Sequence, residues 1–390
     1  MSVWIGVKMN NSVNNNNIVD AVNGKSVETN INRLPGITWH SLRINDRRVL
    51  VRPDSAEGSY RILSGDAIDS DTFSQKEDAA AINERFESIL SAMGKDFIGM
   101  VNGENVAPVY FETDSAEDVS IGFDYSGDAV QSINRVRLYA KEGARISCFM
   151  EFRGSNQVKS SKDGESQGDA KDAEKAIRKT GIVETRIIAE KGAKVHLYQI
   201  HRLSDDVDFY NDISGDFAED ASFRVVHVLV SGKNINIGCA ADLTGDRAHM
   251  KAATGYLVTG QDELDMNYVV RHHGKDTECN MYAKGALRDE AKKTYRGTID
   301  FIRGCAGAKG SENEEVLLLS DDVVNKSIPV ILCAEEDVEG EHGASIGQMS
   351  EDILYYMMSR GIPEDTAYEM MARSGVSAAA AKIPTRFMSE

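Results

Sequence analysis

Apolar residues at Ile82, Phe86, Ile89, Leu90 and Met93 recur at three- and four-residue intervals, the spacing that lines one face of an α-helix. Ser74-Gln75-Lys76-Glu77 has the form of a capping box, and Gly94 ends the pattern, which predicts a helix with one buried face between them. Past Gly94 the texture changes to short β-rich runs in which one phrase returns. Ala140-Lys141-Glu142-Gly143-Ala144-Arg145-Ile146 is echoed by Ala189-Glu190-Lys191-Gly192-Ala193-Lys194-Val195. Looser copies follow at Asp220-Ala221-Ser222-Phe223 and Arg247-Ala248-His249-Met250, about 27 residues further each time. A small residue at a tight corner lets each coil sit on the last, and aliphatic positions around it stack into an interior that no single coil could bury. The recurrence predicts a parallel β-helix; a β-sandwich with chance Gly-Ala turns is the alternative.

The stretch 154–179 breaks this pattern with Lys, Asp, Glu, Ser and Gly and almost no large apolar residue, and is expected to be a solvated insertion between two related coils. From Asn10 to Asn17 the chain is mostly Asn, with too little to bury. Past Ser350, Ile353, Leu354, Tyr355, Met357 and Met358 form a helical cluster that stops at Gly361; Pro363 then suits the first turn of a second helix carrying Ala367, Met370 and Met371. The expected organisation is a helical or mixed region with the Asn-rich arm over 1–100, a β-helix core over 101–345, and a C-terminal helical pair over 346–390. The Met and aromatic residues of that pair exceed what two helices can hide between themselves, so some of them face the main body or a partner.

Composition narrows the function. The 44 Lys and Arg against 62 Asp and Glu give a formal charge of -18, which opposes phosphate backbones and argues against nucleic acid. No run approaches the roughly 18 apolar residues of a membrane helix. The five cysteines (Cys148, Cys239, Cys279, Cys305, Cys333) are odd in number and widely spaced, so neither a disulfide framework nor a structural zinc site is suggested. Met1–Asn11 shows no apolar signal region, and the cytoplasm is the expected compartment.

Catalytic signatures are missing. Gly24-Lys25-Ser26 imitates the end of a phosphate-binding loop, but position 19 is Val19 where the loop needs glycine. Gly304-Cys305-Ala306-Gly307-Ala308-Lys309-Gly310 lacks the register of a nucleotide fingerprint and is expected to be a solenoid turn. There is no His-Glu-x-x-His pair. What remains is Glu341-His342-Gly343 close behind Cys333: imidazole, thiolate and carboxylate are groups that can hold iron. Each also has an ordinary structural use, His342 as a hydrogen-bonded histidine and Cys333 as a small apolar residue. His272 and His273, adjacent on a strand, point to opposite faces, so at most one serves a given site. Between Gly310 and His342 ten acidic residues stand against Lys326 alone, either a solvated edge or a surface that concentrates cations.

Ser311-Glu312-Asn313-Glu314-Glu315-Val316-Leu317-Leu318-Leu319-Ser320, then Ile328-Pro329-Val330, and then Asp337 through Gln348 with Glu341-His342-Gly343-Ala344-Ser345 at its centre resemble the SufB/SufD core family of the SUF iron-sulfur assembly system. Leu354-Tyr355-Tyr356-Met357-Met358-Ser359-Arg360-Gly361-Ile362 continues the resemblance into the C-terminal helices, and Arg33-Leu34-Pro35 with Trp39, Leu42 and Asn45 is similar to an N-terminal motif of the family. The likeness is strongest over about 285–375.

The resemblance implies a right-handed parallel β-helix flanked by N-terminal and C-terminal helical segments. The implied role is a non-catalytic scaffold subunit, with an iron-sulfur cluster assembled transiently where it meets a SufB-type paralogue. The ATPase SufC would dock on the C-terminal helices, which agrees with the lack of a phosphate loop here. His-Gly-Ala at 342–344 favours the SufD branch and makes His342 the implied ligand, with Glu341 as a second candidate and Cys333 a third. Two departures stand out: Gly340 where the SufD pattern often has Cys, and no Cys from Leu317 to Val323 where the SufB branch carries one. A SufB-type subunit is therefore expected to supply the thiolate. Whether the chain alone forms a homodimer through its β-helix edges is left open by the sequence, since such edges can pair with themselves as well as with a relative. The alternatives are a purely structural SufD-like subunit and a β-helix enzyme acting on acidic polysaccharide.

Overall fold

The computed structural model describes residues 27–35, 44–51, 60–103, 106–127, 131–155 and 178–388. The Asn-rich arm, Val19 with Gly24–Ser26, Trp39, Leu42 and most of the charged insertion lie outside the described residues. Two small antiparallel strands, β1 (Val27–Ile31) and β2 (Arg47–Val51), pair with each other. All other strands among the described residues fall into two nine-stranded sheets. Sheet I contains β4 (Ala67–Ile68), β5 (Val109–Thr113), β7 (Gln131–Ala140), β9 (Lys179–Ala189), β11 (Val207–Phe217), β13 (Asn234–Leu243), β15 (Glu263–His272), β17 (Lys292–Phe301) and β19 (Val324–Cys333). Sheet II contains β3 (Tyr60–Ser64), β6 (Ala116–Asp124), β8 (Arg145–Arg153), β10 (Lys194–Arg202), β12 (Ser222–Ser231), β14 (His249–Val258), β16 (Glu278–Leu287), β18 (Ala308–Leu318) and β20 (Val338–Gly347). From β5 onward the chain alternates between the sheets, and each strand pairs in parallel with the strand two places on. This is a β-solenoid, as the recurring phrase predicts.

The recurring phrase is the corner of each coil. Gly143, Gly192, Asp220, Arg247, Asp276 and Gly307 all have φ between 54° and 78°, and they stack. The amides of Gly143, Gly192, Asp220, Arg247, Asp276 and Gly307 donate in turn to the carbonyls of Lys191, Glu219, Asp246, Lys275, Ala306 and Asp337 on the next coil. The left-handed conformation costs glycine nothing and costs Asp or Arg about 1 kcal/mol, which explains why the motif begins as Gly-Ala and then loosens. The alanine after each corner is buried (Ala144, Ala193, Ala221, Ala248), and inward-facing Val, Ile, Leu and Phe fill the space between the sheets. Gly304 and Gly307 occupy a turn, and the strand that follows begins at Ala308.

Helices α1 (Ser70–Ser74), α2 (Ala79–Ser88) and α3 (Lys95–Gly103) cover the outer face of sheet I with β1 and β2. The helix expected between Ser74 and Gly94 is α2, which starts only at Ala79, and Ser74 instead ends the separate helix α1. Asp69 caps α1, its carboxylate accepting from the Thr72 amide at 2.8 Å, the Ser74 hydroxyl donates back to the Ser70 carbonyl, and α2 starts after Asp78 without a side-chain cap. Ile82, Phe86 and Met93 are buried as expected, but α2 stops at Ser88 and Leu90 is exposed. A ladder of buried charge anchors this cover. Glu184 lies between Arg135, Arg137 and Arg186. Burial alone would raise its carboxyl, but the three guanidinium groups outweigh burial and bring it down to about 2. Asp212 accepts from the Met93 amide, Asn32 donates to Asp265 at 2.7 Å, and Arg296 joins Asp265 to the Ile44 carbonyl.

At the other end the chain forms α4 (Glu351–Ser359), α5 (Glu364–Ala372) and a third helix not expected from the sequence, α6 (Ser374–Ala380), then a short 3-10 turn, Thr385–Phe387. α6 lies on the outer face of sheet II against β12, β14 and β16. The approach is close enough to require glycine on both sides: a Cβ on Gly375 would stand 2.4 Å from the Lys284 carbonyl oxygen, and one on Gly255 2.3 Å from the Gly375 oxygen. Ala379, Ile383 and Phe387 complete the contact with Phe149, Tyr198 and Val226. α4 buries no residue of its own.

Candidate functional site

Among the described residues nothing stacks on the last coil: β19 ends sheet I and β20 ends sheet II. His342 lies midway along β20 and is exposed. Its direction follows from its neighbours. A Cβ on Gly340 would meet the interior residues Phe301 and Ile331, whereas one on Gly343 would meet the outward-facing Asn313. Side chains alternate along a strand, so His342 faces the interior row, at its open end, and Glu341 faces outward. The structure therefore does not bring Glu341 and His342 together. Cys333 is exposed at the end of β19, where its thiol donates to the Glu335 carbonyl. It sits at the corner before Val338, and His342 is four residues into β20, about 13 Å along the strand, so Cys333 is not beside His342 either. Among the described residues no three His, Cys, Asp or Glu side chains converge as a complete metal site.

The neighbour of His342 is Glu312, its direct partner on β18. Glu312 is buried, and its carboxyl is pushed up to about 7, first by burial and then by Glu314, with Lys293 and a hydrogen bond from Tyr295 opposing. Glu314, two residues on in the same inward row, pairs with Lys293 and accepts from the Tyr256 hydroxyl at 3.4 Å. Both partners of that ion pair are sealed from solvent, and burial pulls the Lys293 ammonium below its ordinary value against the pull of Glu314. The second Glu314 oxygen has no hydrogen-bond partner among the described residues. Polar groups continue deeper into the core, where the Tyr268 hydroxyl bridges His227 and Thr254. The open end thus presents an imidazole backed by a carboxyl that changes charge near neutral pH.

Glu312, Glu314 and Lys293 were missed by sequence reasoning. The signal was the strict alternation of Glu312, Glu314, Val316 and Leu318: since Val316 and Leu318 must face inward, so must the glutamates. His272 and His273 behave as adjacency requires. His272 is buried with Thr277 at 2.8 Å from its Nδ1, and His273 lies outside near Asp242.

The family model described as SUF system FeS cluster assembly, SufBD core domain, matches residues 123–374. The chain is 31% identical over 132 residues to the iron-sulfur cluster assembly protein SufD of Bacillus subtilis, covering 33% of this chain and 30% of that protein. It is 28% identical over 151 residues to SufB of the same organism, covering 39% and 32%. Against an iron-sulfur cluster assembly SufBD family protein of Mycobacterium tuberculosis it is 27% identical over 148 residues, 38% of this chain and 18% of that protein. The chain therefore spans a third or less of the length of these curated relatives.

Proposed function

Because the chain belongs to the SufBD core family of the SUF iron-sulfur cluster assembly system, we propose that it is a SufD-like scaffold subunit that meets a SufB-type paralogue at its open coil end. The observation that carries this reading is the pair of terminal strands, β19 and β20, with His342 exposed between them and the surface. Unpaired strand edges invite a second chain, and a relative of the same fold would extend both sheets. The cluster is the cargo of this seam. His342 offers it an imidazole, Glu312 stands behind that ring, and the partner supplies the thiolate, since Cys333 sits at the corner before β20 and His342 lies about 13 Å along that strand. The space a Cys at position 340 would need is taken by Phe301 and Ile331.

The ATPase partner, of SufC type, docks on α4. This helix exposes Tyr355 (76%), Tyr356 (58%), Ile353 and Met358, more apolar surface than a free helix end retains without a use. In the absence of the paralogue, two copies of this chain pair through the same open edges.

The test is reconstitution of the full chain with a SufB-type partner, the ATPase, iron and sulfide. His342→Ala is expected to lower cluster absorbance by roughly tenfold, the low end of the effect of losing a group that supports a metal, with the mass of the complex unchanged. Full cluster yield from the variant would leave the chain a structural subunit without a ligand role.

A further inference from the structure

Three cations without a counter-ion among the described residues converge in a groove of about 730 Å³ on the outer face of sheet II. Arg224 on β12 and Lys251 on β14 are direct neighbours in the register, and Lys382, just past α6, closes the groove from above. None of the three forms an ion pair with a described residue, although most other arginines of this face and its surroundings are paired. Glu315 also lines the groove, but it is committed to Lys284 at 2.7 Å and to the Tyr282 hydroxyl at 2.7 Å. The Glu314 carboxylate belongs to Lys293 in the interior. Like charges side by side on neighbouring strands oppose folding, so this arrangement has a cost that packing does not explain, in a chain of net charge -18. Asn280 continues the row from Lys251, and Val226, Ala253 and Tyr282 give the groove an apolar wall.

We propose that this groove binds a small organic phosphate, its phosphate groups held by Arg224, Lys251 and Lys382 and its less polar portion against Val226, Ala253 and Tyr282. A second observation supports an anion here. His196, the β10 neighbour of Arg224, is pulled down to about 4 by burial and then by Arg224, Arg145, Lys194 and Arg386; the charged groups acting most strongly on it are all cations. The cations lie on the opposite face of the sheet from the row that holds His342, and the groove runs across the sheet to Gly343, Ala344 and Ser345 on the terminal strand.

The test is calorimetric titration of the full chain with pyrophosphate and with ADP, using adenosine and citrate as controls. Pyrophosphate and ADP are expected to bind, with adenosine and citrate at least tenfold weaker. Arg224→Gln with Lys251→Gln is expected to weaken ADP by at least tenfold and to leave the melting temperature equal or higher, because a repulsion is removed. In nuclear magnetic resonance titrations, the His196 pKa should rise in that double variant and also in the wild type on adding pyrophosphate. No binding at millimolar ADP, equal binding by the double variant, or citrate binding as tightly as pyrophosphate would each overturn the proposal, the last pointing to an acidic peptide instead.

Discussion

Glu312 ties stability to pH in a way that can be measured directly. Burial and the neighbouring Glu314 raise its carboxyl from 4.5 to about 7, so ionising it in the folded protein costs on the order of 3 kcal/mol. The folded pKa is raised, so this contribution is fully present below about pH 4.5 and is lost as pH rises through about 7. The buried histidines act in the opposite sense. His201 and His227 are held neutral by burial, with folded pKa values below 6.5, so between those values and 6.5 the unfolded chain binds more protons and stability rises with pH. The wild-type profile is therefore composite, and the difference from a Glu312→Gln variant isolates the carboxyl. Gln keeps the shape of the neutral acid and an oxygen that accepts from Tyr295. In urea denaturation at pH 5, the two proteins should be within about 1 kcal/mol. By pH 8.5 the variant should be the more stable by up to about 3 kcal/mol. The groups facing Glu312 are Glu314, Lys293, Tyr295 and His342, so the comparison is repeated in a His342→Ala background. Parallel pH profiles for wild type and variant would refute the assignment.

Lys293→Met leaves Glu314 buried without its cation and should cost about 3–5 kcal/mol in urea denaturation at pH 8. Adding Glu314→Gln should recover most of that loss, and a single-variant cost below about 1 kcal/mol would show that the pair is not a stabilising contact. Gly375→Ala places a Cβ against the Lys284 backbone and should cost about 1–3 kcal/mol. The loss should appear as earlier proteolysis near α6 with the main unfolding transition of the solenoid in place; unchanged protease resistance would contradict the contact.

Much of the solenoid was legible because its corners repeat a backbone demand. Gly143 and Gly192 spell that demand outright, and Asp220 and Arg247 keep it through the buried alanine that follows. The start of the helix after Ser74 was misjudged because a capping box is a local pattern: here the Ser74 hydroxyl turns back to Ser70 at the end of α1, and α2 begins only at Ala79. α6 was illegible for a different reason. Ser374–Ala380 carries no apolar stripe, only Gly, Ala, Ser and one Val, and its place is decided by how near two backbones can come. At the open end, His342 was visible from its motif, but its neighbour was not. Sequence adjacency suggested Glu341, whereas strand pairing supplies Glu312 from 30 residues earlier. Buried charge such as Arg137, Arg186 and Arg296 gives no sequence signal, since each reads as surface until its partners on other coils are known.

The two clamps on this solenoid limit how it can change length. The N-terminal cover grips the outer face of sheet I from Arg135 on β7 to Arg296 on β17, and α6 spans β12 to β16 on the other side. Duplicating or losing a turn is the simplest way for stacked coils to grow or shrink, but within the clamped span each turn shifts everything after it by about 4.8 Å. Asn32 would miss Asp265, and a shift in one direction would put Val228 where Gly255 meets Gly375. Gain or loss of whole turns is thus confined to the stretch beyond β17, so natural variation in coil number should collect beside His342 and reset which partner can stack there.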